Sequence, residues 1–144
     1  MNTIDYSSKL IDLQLPVRTP LMAQVGNTPL IRLISITSEI PDTVEVYVKA
    51  EWFNPSGSVK DRPAAAVLQK AISSGELCDG KTLLDATSGN MGIAYATFCA
   101  SLNIPLHLVL PASATPERIA ILRALGAELT LADPEDGTED ARKK

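Results

Sequence analysis

The stretch Asn54-Pro55-Ser56-Gly57-Ser58-Val59-Lys60-Asp61-Arg62 decides how this chain is read. A single lysine follows a Pro/Gly/Ser turn and precedes an alanine-rich run with helical spacing. The turn gives the backbone a defined path, and the helix start sets where the lysine side chain points. A lysine held partly out of water loses its proton more easily, and a neutral amine attacks an aldehyde. The plainer alternative is a surface lysine at a helix start. It has to explain a positive charge set against the helix dipole.

Downstream of the turn, the spacing predicts a helix that starts between Lys60 and Arg62 and runs to about Ser73. Ser58 and Asp61 have capping-box spacing, while Pro63 argues for the later start because it has no N–H to donate deep in a helix. Ala64, Val67, Leu68, Ala71 and Ile72 form the expected buried stripe, and Ser74-Gly75 ends it. Upstream, residues 44–50 alternate in part and are β-branched, so they read as a strand; Trp52 and Phe53 read as packing at its end, the alternative being that they wall a pocket. Before that, Gly26-Asn27-Thr28-Pro29 is a turn opening a short strand over 30–33. Residues 1–24 carry Pro16 and Pro20 and read as an irregular arm.

After the first helix the pattern repeats. A strand over 82–86 runs into the loop Thr87-Ser88-Gly89-Asn90-Met91-Gly92. A helix over 93–102 follows, apolar on nearly every side, which predicts burial between layers. Residues 106–110 are a continuous apolar run typical of a parallel sheet. Thr115-Pro116-Glu117 is a helix start with a capping residue, a first-position proline and an acid. Ile119, Leu122 and Leu125 line that helix, Gly126 stops it, and residues 128–131 form a last strand. The order β-α-β-α-β-α-β predicts an α/β fold: a doubly wound parallel sheet with helices on both faces. Residues 133–144 are highly charged and read as the first turns of a helix at which the chain is cut.

With 144 residues, 45% hydrophobic and 21% charged, the chain has one globular domain's worth of length,. A net charge of −4 and the lack of a basic block argue against a nucleic-acid partner,. No apolar run is long enough to cross a bilayer, and the N-terminus lacks the layout of a secretory signal. Cys78 and Cys99 have no metal-ligand spacing and read as reduced thiols of a cytoplasmic protein. His107, the single histidine, sits in an apolar strand and reads as a satisfied sheet residue.

The nonapeptide 54–62 resembles the Asn-Pro-x-Gly-Ser-x-Lys-Asp-Arg motif of fold-type II pyridoxal-phosphate (PLP) enzymes, nearest to cysteine synthase and cystathionine β-synthase. Gly26-Asn27-Thr28-Pro29-Leu30 and residues 123–128 are similar to segments of the same family and are read as structural. The resemblance implies that Lys60 carries the cofactor, pyridoxal 5'-phosphate, covalently and also acts as the catalytic base. The family's Thr-Ser-Gly-Asn-Thr-Gly loop corresponds to residues 87–92. By position, Thr87, Ser88, Gly89, Asn90 and Met91 would bind the α-carboxylate of an amino-acid substrate, and Asn90 would also touch the cofactor. Taken without the resemblance, the same loop is an ordinary strand-to-helix turn with Ser88 or Asn90 as its cap. Met91 replaces the usual threonine, and a thioether cannot donate the hydrogen bond of a hydroxyl.

What the resemblance implies is β-replacement on an amino acid such as O-acetylserine by sulfide or another thiol, without a metal. The whole enzyme would be a homodimer. The domains expected are an arm with a short strand (1–43) that packs on a larger domain or a partner subunit, a small α/β domain (44–132), and the start of a helix (133–144). The family's phosphate-binding loop lies later in the chain, so the isolated chain is expected to turn over little. The alternatives are cystathionine β-synthase, serine or threonine dehydratase, and, from another class, a non-catalytic interaction module. A generic nucleotide-binding domain fares poorly because no Gly-x-Gly-x-x-Gly follows a strand.

Overall fold

The computed structural model describes residues 21–41, 43–78, 80–87 and 89–132. Most of the N-terminal arm, Ser88 and the expected helix start over 133–144 lie outside the described residues. The ordered elements are β1 (Leu30–Arg32), β2 (Tyr47–Lys49), α1 (Asp61–Ser73), β3 (Leu83–Ala86), α2 (Asn90–Leu102), β4 (Leu106–Pro111), α3 (Pro116–Ala124) and β5 (Glu128–Ala132). Short 3-10 turns cover Met22–Gln24 and Glu51–Phe53.

The α/β class and the parallel sheet are as the sequence implies. Strands β3, β4 and β5 pair in that order, all parallel, with Leu83 opposite Leu106 and Leu108 opposite Leu129. Along β4 the side chains alternate. Leu106, Leu108 and Leu110 are buried, while His107 and Val109 are half-buried on the other face. The helices α2 and α3 pack against each other, α2 also packs on β4 and α3 on β5, and α1 packs against α2. α2 is therefore surrounded, as its all-round apolar composition predicts. Ala94, Phe98 and Cys99 are at most 1% exposed,.

One strand departs from the expected order. The strand over 44–50 does not join the parallel sheet but pairs antiparallel with β1, Ile31 facing Val48. Hydrogen bonds from Leu33 N–H to the Val46 carbonyl (2.9 Å) and from Ala50 N–H to the Pro29 carbonyl (2.9 Å) lengthen this ladder at both ends. The physical reason is in its pattern. Alternating polar and apolar residues suit a half-exposed antiparallel pair, whereas β4 has the continuous apolar run of a buried parallel strand. Trp52 and Phe53 also differ from expectation. They are 55% and 61% exposed, in tilted contact with ring centroids 6.0 Å apart, and pack into no core here.

Local signals explain the helix ends. α3 begins with Thr115 Oγ1 accepting from Arg118 N–H, and Pro116 occupies the first position,. It ends with Ala127 N–H bonded to the Leu122 carbonyl and Gly126 N–H to that of Arg123, a Schellman pattern,. In α1, Ala64 and Leu68 are buried and Ala71 and Ile72 half-buried, but Val67 is 44% exposed and leaves the expected stripe. The two cysteines differ sharply. Burial pushes the Cys99 thiol up to about 12, whereas Cys78 is exposed,. We expect a thiol-reactive disulfide reagent at neutral pH to modify Cys78 alone, and Cys99 to react only after denaturant is added. Peptide mapping of the labelled chain checks this.

Candidate active site

The lysine turn is built from backbone and side-chain hydrogen bonds that leave the lysine itself free. Lys60 is the residue before α1, and its carbonyl accepts from Ala64 N–H at 3.1 Å to open the helix. Its N–H donates to Ser58 Oγ at 3.2 Å. Asp61 and Arg62 N–H groups donate to the carbonyls of Ser58 and Val59, and Pro63 has no N–H to place,. The expected pairing of Ser58 with Asp61 is not formed. The fully buried Asp61 carboxylate instead reaches back to Ser56, accepting from its N–H at 2.7 Å and from its hydroxyl. That choice follows from Asp61 sitting one residue past the helix cap, too early to turn back to Ser58. The Lys60 side chain is exposed and has no ion pair among the described residues.

A second network lies behind the turn. Both Glu51 oxygens accept from Arg62, Nε at 2.9 Å and Nη2 at 2.8 Å, the bidentate geometry that makes such pairs strong,. Thr28 Oγ1 donates to the same carboxylate at 2.8 Å, and so does Asn54 Nδ2 at 2.8 Å. The Asn54 oxygen accepts from Gly26 N–H at 2.9 Å, and its amide also donates to the carbonyls of Glu51 and Ser58. Lys49 Nζ donates to the Thr28 carbonyl. Gly26 has φ +90°, which favours glycine, and a Cβ there would stand 3.1 Å from Arg62 Nη1 and press on the arginine,. The turn at 26–29, to which the sequence assigned no chemistry, is thus a wall of the lysine turn. The structure reveals this role through a buried polar residue, Thr28, which is only 6% exposed. An open cleft of about 630 Å³ lies against this wall, lined by Gly26, Thr28, Phe53 and Arg62 among others, but by neither Lys60 nor residues 87–91.

The loop after β3 is different in kind. Thr87 is half-buried and its N–H donates to the Val109 carbonyl at 3.1 Å, continuing the sheet ladder. Ser88 lies outside the described residues. Gly89 precedes α2 with extended backbone (φ −140°, ψ −154°), so α2 begins at Asn90, three residues earlier than the sequence reading placed it. Asn90 is exposed and Met91 half-buried against the core. Gly92 N–H bonds the Gly89 carbonyl, while the N–H groups of Asn90 and Met91 have no partner among the described residues. A helix start with open N–H groups favours an anion. The start of α1 has its N–H groups already used. So the two helix starts differ: one presents an amine, the other presents hydrogen-bond donors. α1 and α2 pack on each other.

Gly92 is a residue whose role the sequence did not reveal. A Cβ there would lie 2.8 Å from Thr87 Cγ2 and 3.3 Å from Leu108 Cδ1. Glycine to alanine in a helix ordinarily stabilises. Here we expect the opposite sign: Gly92→Ala should destabilise by about 1–3 kcal/mol through overpacking, read in denaturant unfolding. The Glu51–Arg62 pair gives a pH signature. The Arg62 guanidinium lowers the Glu51 carboxyl from 4.5 to about 2, with Thr28 and Asn54 adding hydrogen bonds against the cost of burial,. A depressed folded-state value means the contribution is complete above about pH 4.5 and is lost as pH falls toward about 2,. The melting-temperature gap between the unaltered chain and Glu51→Gln should therefore be widest near neutrality and shrink through that acid window.

Comparison with known proteins now places the chain. Residues 21–144 match the family described as pyridoxal-phosphate dependent enzyme. Cysteine synthase of Aquifex aeolicus is 46% identical over 125 residues, covering 86% of this chain and 38% of that protein. Among solved structures, cysteine synthase of Entamoeba histolytica superposes with a TM-score of 0.79 at 32% identity, over 90% of this chain and 41% of that one. The O-acetylserine dependent cystathionine β-synthase of Helicobacter pylori gives a TM-score of 0.76 at 29% identity, over 90% and 42%. The chain thus spans about two fifths of the length of these relatives. With its lysine turn and its small-residue loop both inside the matched region, the chain belongs to the pyridoxal-phosphate dependent enzyme family.

Proposed function

We propose that this chain is the lysine-bearing part of an enzyme that makes cysteine from an activated serine, such as O-acetylserine, and sulfide. The observation that carries the reading is the difference between the two helix starts. α1 presents the uncommitted amine of Lys60, and α2, packed against it, presents the open N–H groups of Asn90 and Met91. A primary amino acid requires one group to work at Cα and one to hold its carboxylate, and these two helix starts offer an amine and hydrogen-bond donors of those kinds.

The residues present fit pyridoxal phosphate at its aldehyde, because Lys60 is a primary amine with no ion pair to give up among the described residues. When bound, that cofactor supplies an electron sink for the charge left at Cα. Lys60 would hold it covalently and, once displaced by the substrate amine, take the α-proton. The N–H groups at the start of α2, with the hydroxyls of Thr87 and Ser88, would bind the substrate carboxylate, and Gly89 leaves room for it to approach. A Cβ at Gly89 meets nothing within 4 Å. The Asn90 side chain would touch the cofactor ring hydroxyl. Met91 contributes its N–H rather than a side-chain donor. The cofactor's phosphate would be held by a loop in the remaining length of such an enzyme.

In the whole enzyme, residues 44–132 would act as a small mobile body closing over the substrate and excluding water. Residues 1–43 would pack on the larger domain or a partner subunit of a cytoplasmic homodimer. No helix among the described residues is long and apolar enough to cross a membrane. A second reading, cystathionine β-synthase with a larger thiol as acceptor, is favoured by the likeness to the Helicobacter pylori structure.

The test is covalent capture. After incubation with pyridoxal phosphate and reduction with borohydride, peptide mapping should place the adduct on Lys60 in preference to Lys49, Lys70 and Lys81. Lys60→Arg should remove the preferred adduct. Preferential labelling of any other lysine would overturn the assignment.

A further inference from the structure

We propose that Glu51 and Arg62 are positioning residues for Lys60, acting together as a clamp that sets the direction of its amine. This deepens the reading above and rests on it. The Glu51 carboxylate accepts four hydrogen bonds from three separate segments: one from Thr28, one from Asn54 and two from Arg62. A carboxylate has about four acceptor positions, so this one is saturated. Its side chain is 18% exposed, which makes an unmet donor or acceptor there costly,.

The geometry points to the lysine because the clamp grips the chain on either side of it. Arg62 lies two residues beyond Lys60, and its planar fork fixes the rotation of the α1 start about its axis. Arg62 Nη2 also reaches Thr28 Oγ1 at 3.4 Å, tying that rotation to the 26–29 turn. Two residues before Lys60, the Ser58 carbonyl accepts from Asn54 Nδ2 at 3.1 Å, the same amide that bonds Glu51. Both flanks of the lysine are thus anchored to one carboxylate, and the lysine side chain alone is left unbound. A pair of this kind whose arginine is 40% exposed contributes modestly to stability,. Its multiplicity of partners is better explained by orientation than by strength. Misplacement of a reacting group by about 1 Å lowers rates by orders of magnitude.

The test uses the full chain with three variants, Glu51→Gln, Arg62→Lys and, as a control for lost stability, Leu125→Ala. Glu51→Gln places amide hydrogens against donors already present. Arg62→Lys keeps the charge and loses the fork, and is the milder change should the first not fold. Each is held well below its melting temperature, reduced with borohydride in the presence of pyridoxal phosphate, and mapped. We expect the preference for Lys60 over Lys49, Lys70 and Lys81 to fall about tenfold or more in both clamp variants. Leu125→Ala should lower the melting temperature and keep the preference. Amide exchange over residues 54–62 should accelerate in the clamp variants alone. If folded clamp variants keep the preference, or Leu125→Ala loses it equally, the clamp is structural and the inference is overturned. If the unaltered chain shows no preference for Lys60, the cofactor assignment itself fails and the inference goes with it.

Discussion

One carboxylate, that of Glu51, holds together the part of the molecule where chemistry is expected. It stands at the joint between two unlike pieces, an antiparallel pair of short strands and a three-stranded parallel sheet with its helices. The strand pair has little to hold it. Leu30 is 62% exposed and Tyr47 45%, and two isolated strands are marginal in water,. Its anchorage is instead polar: Thr28 and Ala50, both buried, flank it, and Thr28 bonds Glu51 directly. Because the 3-10 turn Glu51–Phe53 links β2 to the lysine turn, and Glu51 itself bonds both Thr28 and Arg62, the same bonds that secure the strand pair also secure the lysine turn.

The parallel sheet is held by different means. Its stability comes from burial of leucines on β4 and of α2, a helix with no polar face to spare,. Gly92 brings α2 close to Thr87 and Leu108, and this contact places the loop after β3 at the carboxyl end of its strand, where ligands bind in open sheets,. The two regions therefore meet through α1 and α2. The hydrogen-bonded piece carries Lys60 at the start of α1, and the apolar piece carries the loop that opens α2.

The division matters for how the turn tolerates change. Apolar packing is non-directional, so its tolerance is set by space: a methyl group is absorbed where there is room, and not at Gly92,. A saturated carboxylate is directional: an amide in its place sets a donor against a donor, and an apolar side chain leaves the donors unmet. Trp52 and Phe53, beside this carboxylate, are exposed, as are Leu30 and Tyr47 of the strand pair.

Much of this was readable residue by residue. Caps at Thr115 and Gly126, the apolar run of β4 and the all-round apolar α2 are local patterns whose partners lie within a few residues or need no particular neighbour. The lysine turn and the small-residue loop were likewise visible, because their residue types are consecutive. Strand partners were not. Residues 44–50 carry the strand Tyr47–Lys49, and their alternation suits a half-exposed pair, but it does not say that β1 is the partner. Nor could the order of residues show Thr28, Glu51, Asn54 and Arg62 meeting at one carboxylate, or Asp61 turning to Ser56 instead of Ser58. Hydrogen bonds between segments up to 34 positions apart depend on chain direction in space, which short-range patterns do not encode,.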